Sequence, residues 1–259
     1  MKILVILRNI YSNPDVFDNE QYLCKSDCNI LAEAMMLKEQ CGGQVTALLF
    51  GEKVEENVKT LQKACTYGAD EGALIGFHDF DFSDTETFAK VIARTIETEY
   101  ADYSLILFGR LAYDGDAVNL ATQVACHLSC ARVVYSREIN IKEGKICARK
   151  YLSSSEEVIC QVDADKVLIQ SIREHGVTRQ PKISDIIRTY NGLEITQING
   201  DAIAAKIPDN NTGFRLFKKT EPEENTEKKM VLLNGKNDEE SSVNLLNLLQ
   251  KSGFQGKKI

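Results

Sequence analysis

The chain has 259 residues, a formal net charge of -7 and an isoelectric point near 5.2. This acidic balance argues against nucleic acid or an anionic membrane as the principal partner. Hydrophobic residues make up 43% and charged residues 27% of the chain, so a packed core is expected rather than disorder. No apolar run approaches the ~20 residues of a membrane helix, and the opening MKILVIL has no export-signal pattern. The expected compartment is therefore the cytoplasm.

The first half of the chain alternates buried-type strands with amphipathic helices. This alternation predicts an α/β fold with a doubly wound, mostly parallel, Rossmann-like sheet. If the strand order is 3-2-1-4-5, it reverses between the first and fourth strands, and ligands bind at such a reversal. The predicted strands are residues 3–7, 45–50, 73–77 and 103–108, and the predicted helices are residues 30–40, 54–67 and 85–100, the last capped by Ser83 or Asp84.

The second half of the chain no longer alternates strands with helices. Short strands are predicted at residues 133–135, 138–142, 145–150, 157–162 and 166–172, with a hairpin turn at Glu143-Gly144. Farther on, a short strand or turn is predicted at residues 202–206, a charged linker at 218–229 and a helix at 243–249. We therefore expect a nucleotide-binding domain over residues 1–190, with a β extension at about 133–172 and a loop at about 176–190. A linker and C-terminal arm occupy 191–259.

Residues 105–128 carry the strongest local signal for a binding site. An apolar strand ends at Gly109, a short loop follows, and helical spacing resumes through Leu120, Val124 and Leu128. A helix that begins at the rim of a parallel sheet offers N–H groups to an anion, and Asp116 is a plausible N-cap. The alternative is an ordinary strand-to-helix junction with a capping Asp.

The sequence contains no pattern of hydrolysis or group transfer. It lacks G-x-S-x-G, H-E-x-x-H, a Walker A loop and G-x-G-x-x-G, and its three histidines have no paired acid within sequence reach. The eight cysteines are expected to be reduced thiols. Two pairs lie four residues apart, Cys24/Cys28 and Cys126/Cys130, but a metal site would need tighter motifs, so none is expected. These observations favour a carrier or binding protein over an enzyme.

Gly109-Arg110-x-Ala112-x-Asp114-Gly115-Asp116 resembles the nucleotide loop of the electron-transfer flavoprotein beta-subunit family. The resemblance extends in order and spacing over roughly residues 1–190, and the segments are more specific together than singly. The other matching segments are the first strand MKILV, Ala32-Glu33-Ala34 with Leu37-Lys38-Glu39, Gly68-Ala69-Asp70, and Arg179-x-Pro181 with Ile186.

The resemblance implies a heterodimer with an alpha subunit that accepts electrons from a flavin-dependent dehydrogenase of the acyl-CoA dehydrogenase type. The beta subunit would hold AMP or a second FAD, which it could share with the alpha subunit, and would relay electrons without catalysing bond chemistry. The implied cofactor-binding residues are Ile6, Cys24, Asp27, Phe50, Asp114, Gly115, Asp116, Ala117, Asn119, Ala121 and Thr122.

The loop departs from the family's usual D-G-D-T-x-Q-x-G-P run. Ala117 lacks the hydroxyl of the usual Thr, Asn119 is shorter than the usual Gln, and Ala121 replaces a Gly that allows close backbone approach. Each lost hydrogen bond costs about 0.5–1.5 kcal/mol, so these changes weaken nucleotide binding relative to the family pattern.

The segment Arg179 to Tyr190 resembles the family's partner-docking loop. The resemblance assigns docking to Arg179, Pro181, Ile183 and Ile186, with Ile183 as the apolar anchor. The alternative is that Ile183 is buried in the chain's own core.

Two other function classes remain open: a stand-alone adenine-nucleotide-binding module, and an enzyme of the same fold, such as a nucleotide-alpha hydrolase relative.

Overall fold

The computed structural model describes residues 1–7, 23–82, 84–109, 119–153, 156–172, 180–207, 233 and 235–251. These residues form nine strands and seven helices. The strands are β1 (Lys2–Leu7), β2 (Gln44–Glu52), β3 (Glu71–Phe77), β4 (Leu105–Phe108), β5 (Ala131–Lys142), β6 (Lys145–Tyr151), β7 (Glu157–Val162), β8 (Val167–Ser171) and β9 (Thr196–Asn199). The helices are α1 (Lys25–Cys41), α2 (Glu55–Thr66), α3 (Thr85–Glu99), α4 (Leu120–His127), α5 (Ile183–Tyr190), α6 (Gly200–Ala204) and α7 (Asp238–Lys251).

All nine described strands belong to one sheet with the order β7-β6-β5-β8-β4-β1-β2-β3-β9. The strands from β8 to β9 in this order are parallel to their neighbours. Since β1 lies between β2 and β4, the strand order reverses there, as predicted, and β8 takes the fifth place. The expected doubly wound, mostly parallel α/β fold is confirmed.

The two faces of β1 explain the layering. Its side chains alternate between the faces of the sheet, so Ile3, Val5 and Leu7 enter one buried cluster, and Leu4 and Ile6 enter the other. Helices α1 and α2 contribute to the first cluster, and α3 and α4 contribute to the second. A strand covered on both faces needs apolar side chains at nearly every position, which accounts for the run KILVIL.

The predicted β extension at about 133–172 is part of the same sheet. β5, β6 and β7 form its antiparallel end, whereas β8 lies in the parallel part between β4 and β5. β5 pairs with β6 through a turn in which Glu143 and Gly144 have φ of 51° and 76°, and β6 pairs with β7. Two successive positive φ values are typical of a type I′ hairpin, so the predicted turn is confirmed. The separate strands expected at 133–135 and 138–142 are instead one strand. The pairing register of β5 shifts between Val133 and Ser136, and Tyr135 has φ of 60°.

The chain after residue 180 is more regular than the sequence suggested. Residues 183–190 form helix α5 rather than a loop, and β9 pairs in parallel with β3 at the sheet edge. The strand or turn expected at 202–206 is wrong, because α6 covers Gly200–Ala204 and the side chain of Asn199 accepts a hydrogen bond from Ala202 N. The first compact unit spans Met1–Phe214, so it continues past residue 190.

The second compact unit spans Arg215–Ile259. Its described part contains α7, which confirms the predicted terminal helix and begins earlier than expected, at Asp238. Asn237 Oδ1 accepts a hydrogen bond from Glu240 N at 2.9 Å and so caps this helix. The predicted linker at 218–229 lies outside the described residues. Within the described part of the chain, no helix is long and apolar enough to cross a membrane.

Candidate functional site

The tips of β1, β4 and β8 lie side by side at the carboxyl edge of the sheet. Ile6 of β1 pairs with Phe108 of β4, and Phe108 pairs with Gln170 of β8. The β1/β4 boundary is the point where the strand order reverses, and a crevice at the carboxyl ends of the strands is the usual ligand site in such a sheet. The structure therefore places the tips of β1 and β4 next to each other, as the sequence predicted.

Gly109, the residue after β4, allows the start of α1 to approach this edge. A Cβ atom at Gly109 would lie 2.5 Å from Ser26 Oγ and 3.2 Å from the Ser26 carbonyl oxygen. Ser26 is the second residue of α1, so the N-terminus of this helix lies against the end of β4. Contact this close requires a residue without a side chain, which gives the glycine a packing role beside the crevice.

Cys24 and Asp27 both lie at the N-terminus of α1. Cys24 is the N-cap residue, and its Sγ accepts a hydrogen bond from Asp27 N at 3.3 Å. Burial, reinforced by the Asp27 carboxylate, raises the pKa of the Cys24 thiol well above its ordinary value, so the thiol is neutral. Asp27 is itself buried and places an acidic group in the first turn. Its charge offsets the positive end of the α1 dipole, which makes that helix end less attractive to a phosphate.

The N-terminus of α4 has no such compensation among the described residues. Asn119 is the N-cap residue and is exposed, and its side chain makes no capping hydrogen bond. Ala121 is buried in the first turn, and Thr122 is half-buried beside it. No acidic residue lies in the first turn of α4. Of the two helix ends that carry predicted site residues, α4 is therefore the better one for an anion.

Three predicted site residues are part of the hydrophobic core. Ile6, Phe50 and Ala121 all belong to the buried cluster on the α3/α4 face. The Phe50 ring packs against Phe88 at 5.8 Å between ring centroids, with the ring planes 76° apart. Because these side chains are engaged in the core, a nucleotide would meet their backbone groups rather than their side chains. Four predicted cofactor residues, Asp114, Gly115, Asp116 and Ala117, lie outside the described residues. The predicted N-cap at Asp116 is wrong, because α4 begins at Leu120 and its N-cap residue is Asn119.

The sequence analysis missed Gln170 at this edge. Gln170 is buried near the carboxyl end of β8, after three apolar residues, and its Oε1 has no hydrogen-bond partner among the described residues. A buried amide oxygen without a partner costs about 1–3 kcal/mol, so such an atom beside the crevice fits a hydrogen-bond donor supplied by a ligand. The signal was a large polar residue directly after the apolar run of a strand that is buried at all five positions.

Two of the histidines lie within hydrogen-bond distance of a carboxylate that is distant from them in sequence. His127 Nε2 lies 3.1 Å from Glu86 Oε1, and His78 Nδ1 lies 2.6 Å from Asp201 Oδ2. These pairs join α4 to α3 and the end of β3 to α6, and the second is exposed at the surface. The described residues contain no group of metal-ligating side chains, and all eight cysteines are free.

Comparison with known proteins decides the family. The model of the electron transfer flavoprotein domain matches residues 17–175. The electron transfer flavoprotein subunit beta of Thermoanaerobacterium thermosaccharolyticum is 32% identical over 189 residues, which cover 73% of this chain and 70% of that protein. The chain belongs to the electron transfer flavoprotein beta-subunit family. Membership confirms the predicted resemblance and places the chain in a flavin-associated family of electron-transfer proteins.

Two further relatives in this family are 30% identical to the chain. One is the electron transfer flavoprotein subunit beta of Clostridium acetobutylicum, and the alignment covers 64% of this chain and 61% of that protein. The other is the acryloyl-CoA reductase electron transfer subunit gamma of Anaerotignum propionicum, again with 64% and 61% coverage. The chain thus spans less than two thirds of these two relatives.

The predicted docking segment of this family member lies on α5 and just before it. Ile183 is 76% exposed, so the alternative in which it is buried in the chain's own core is wrong. Ile186 is also exposed, and Pro181 is half-buried ahead of the helix. Arg179 lies outside the described residues.

Proposed function

We propose that this chain is an electron transfer flavoprotein beta subunit that pairs with an alpha subunit and holds AMP or a second FAD. In this proposal the heterodimer accepts electrons from a flavin-dependent dehydrogenase of the acyl-CoA dehydrogenase type. It acts in the cytoplasm, where eight free cysteines stay reduced. The chain's own residues position and bury the cofactor, and none of them makes or breaks bonds in a substrate.

The observation that carries the nucleotide site is the row of strand tips at the order reversal. Ile6, Phe108 and Gln170 follow one another across β1, β4 and β8. The Gln170 Oε1 atom, which has no partner within the described part of the chain, supplies an acceptor beside this row, and the first turn of α4 supplies N–H donors. An adenine ring with an amino group and a phosphate would satisfy both kinds of group. The residues present therefore fit an adenine nucleotide.

The exposed face of α5 supports the dehydrogenase partner. Ile183, Ile186, Ile187 and Tyr190 recur with helical spacing and are all exposed. An apolar stripe of this kind on a helix is a common anchor for a groove in a partner protein. The relative from Anaerotignum propionicum is named as the electron transfer subunit of acryloyl-CoA reductase, which favours an acyl-CoA-type flavoprotein as the partner.

Co-expression with the alpha subunit encoded by the same organism tests the proposal. We expect the two chains to elute together and the denatured complex to release an adenine nucleotide. Flavin absorbance beyond that of one FAD per heterodimer indicates a second FAD, and adenine absorbance alone indicates AMP. If this chain elutes alone and without nucleotide, the proposal is wrong.

Two variants locate the nucleotide. Asp116→Ala and Gln170→Leu should each weaken nucleotide binding by about two- to tenfold if one hydrogen bond to a ligand is lost, and so reduce the nucleotide retained per heterodimer. Asp165→Ala is the matched control, because Asp165 is exposed before β8, at the opposite end of the strand. Full occupancy in both variants would exclude the loop and the β8 tip from the site.

A further inference from the structure

Helix α5 exposes its apolar side chains and turns its polar side chains toward the core. In most surface helices the apolar stripe faces the core and the polar face meets water. In α5 the inward positions are Asp185, Arg188 and Thr189, of which Thr189 is fully buried. The outward positions carry three isoleucines and a tyrosine. Hydrophobic burial therefore contributes less to holding this helix in place than it does in an ordinary surface helix.

The local sequence does not stabilise α5 either. The helix has only eight residues, and its N-cap residue, Lys182, makes no side-chain capping hydrogen bond. Isolated helices shorter than roughly 12–15 residues are marginal in water. The position of α5 must then depend on its polar inner face.

Arg188 makes the main contacts of that inner face. Its Nη2 donates to the Ala69 carbonyl at 2.7 Å and to the Cys65 carbonyl at 3.5 Å, and its Nη1 donates to the Asp70 carbonyl at 3.4 Å. These carbonyls lie at the C-terminal end of α2 and in the turn after it. This is the negative end of the helix dipole, where a cation is favoured. The planar guanidinium can reach several carbonyls at once, which a lysine ammonium cannot do with the same geometry.

Asp70 connects this contact to the rest of the unit. Its carboxylate lies 3.7 Å from Arg188 Nη1 and accepts hydrogen bonds from Lys38 Nζ at 2.6 and 2.7 Å and from Val45 N at 2.8 Å. Lys38 belongs to α1, and Val45 belongs to β2. Asp70 therefore ties the site of Arg188 to one helix and one strand of the main sheet.

We propose that Arg188 is a positioning residue for partner docking. By holding the inner face of α5 on the end of α2, it presents the apolar stripe (Ile183, Ile186, Ile187 and Tyr190) in one fixed orientation. The inference rests on the proposed electron-transfer function, because it concerns the docking of the same dehydrogenase. It adds a residue that does not touch the partner's groove yet sets the affinity for it.

The test uses the heterodimer and an acyl-CoA dehydrogenase from the same organism, with electron transfer followed by the bleaching of flavin absorbance. Arg188→Gln should raise the KM of the dehydrogenase for the heterodimer by about tenfold, the cost of losing charge-assisted hydrogen bonds that order the helix, and leave kcat unchanged. Arg188→Lys should give an intermediate KM. Lys145→Gln is the matched control, because it removes the same charge on β6, where Lys145 Nζ lies 2.9 Å from Asp163 Oδ2, and it should change KM less than twofold.

Hydrogen exchange separates positioning from general destabilisation. In Arg188→Gln the amides of α5 should exchange faster, while those of β1 and β2 stay protected. If Arg188→Gln unfolds the whole unit, the inference is tested instead with Arg188→Lys, by its KM and by the hydrogen exchange of its α5 amides. An unchanged KM in the folded variants, or a Lys145→Gln effect of equal size, would overturn the inference. If the wild-type heterodimer accepts no electrons, the proposed function itself has failed.

Discussion

Replacing Ile183 by alanine should weaken dehydrogenase binding without destabilising the chain. Ile183 is 76% exposed, so about a quarter of its surface is already buried within the chain. Full burial of an isoleucine side chain contributes about 1.5–3 kcal/mol, so covering the remaining part in a complex contributes roughly 1–2 kcal/mol. At 1.4 kcal/mol per tenfold change, the dissociation constant should rise about 5- to 30-fold. Stability should hold because alanine is the better helix former.

The assay is the affinity of the heterodimer for the dehydrogenase, measured by titration with a labelled heterodimer, alongside urea unfolding of the same samples. Ile159→Ala is the matched control, since Ile159 is 57% exposed on β7, away from α5. Two results would refute the reasoning. One is unchanged affinity in Ile183→Ala. The other is a loss of equal size in Ile159→Ala, which would indicate nonspecific association through any exposed isoleucine.

Gly109→Ala should destabilise the fold by about 1–3 kcal/mol, because its Cβ would lie 2.5 Å from Ser26 Oγ; urea unfolding checks this, and adding Ser26→Ala should recover part of the loss. Asp84→Ala should cost about 0.5–2 kcal/mol, since Asp84 accepts two N–H hydrogen bonds at the start of α3. Asp84→Asn should cost less, and equal losses would contradict a capping role. Burial raises the pKa of Cys28 from 9.0 to about 11 and that of Cys65 to about 12. The folded chain therefore keeps protons that the unfolded chain loses. The stability from these thiols is complete below the unfolded pKa and is lost as the pH rises through the folded values. Urea midpoints should thus fall between about pH 8 and about pH 10.5, and Cys65→Ala should show a smaller fall; equal falls would contradict this origin.

The parallel core was predictable because local pattern and burial agree there. β1, β2 and β4 are apolar along nearly their whole length, and a strand covered on both faces has to be. β9 was missed because its burial pattern contains no fully buried residue, so its pairing with β3 leaves no mark in hydrophobic periodicity. β5 was divided in two because its register shifts near Tyr135, where it leaves β8 for β6. Such an irregularity depends on two neighbouring strands and not on the strand itself.

The candidate site was predictable in its place and less so in its chemistry. The reversal of strand order, and hence the neighbouring tips of β1 and β4, followed from the alternation of elements. The contact between Gly109 and Ser26 joins residues that are distant in sequence, and no spacing rule connects them. Cys24 and Asp27 were assigned by resemblance, and the structure gives both a local role at the start of α1. Whether they also touch a nucleotide stays a prediction.

The reversed helix α5 shows why the docking segment was harder to interpret than the core. An apolar stripe at helical spacing predicts burial within the chain, and by that rule Ile183 and Ile187 would face inward. The rule assumes that the chain folds without a partner. Here the inward face is held by hydrogen bonds from Arg188 to the end of α2. The apolar face is thereby left available for another protein. The same residues would lower the solubility of a free chain, so the arrangement is consistent with a protein that acts in a complex.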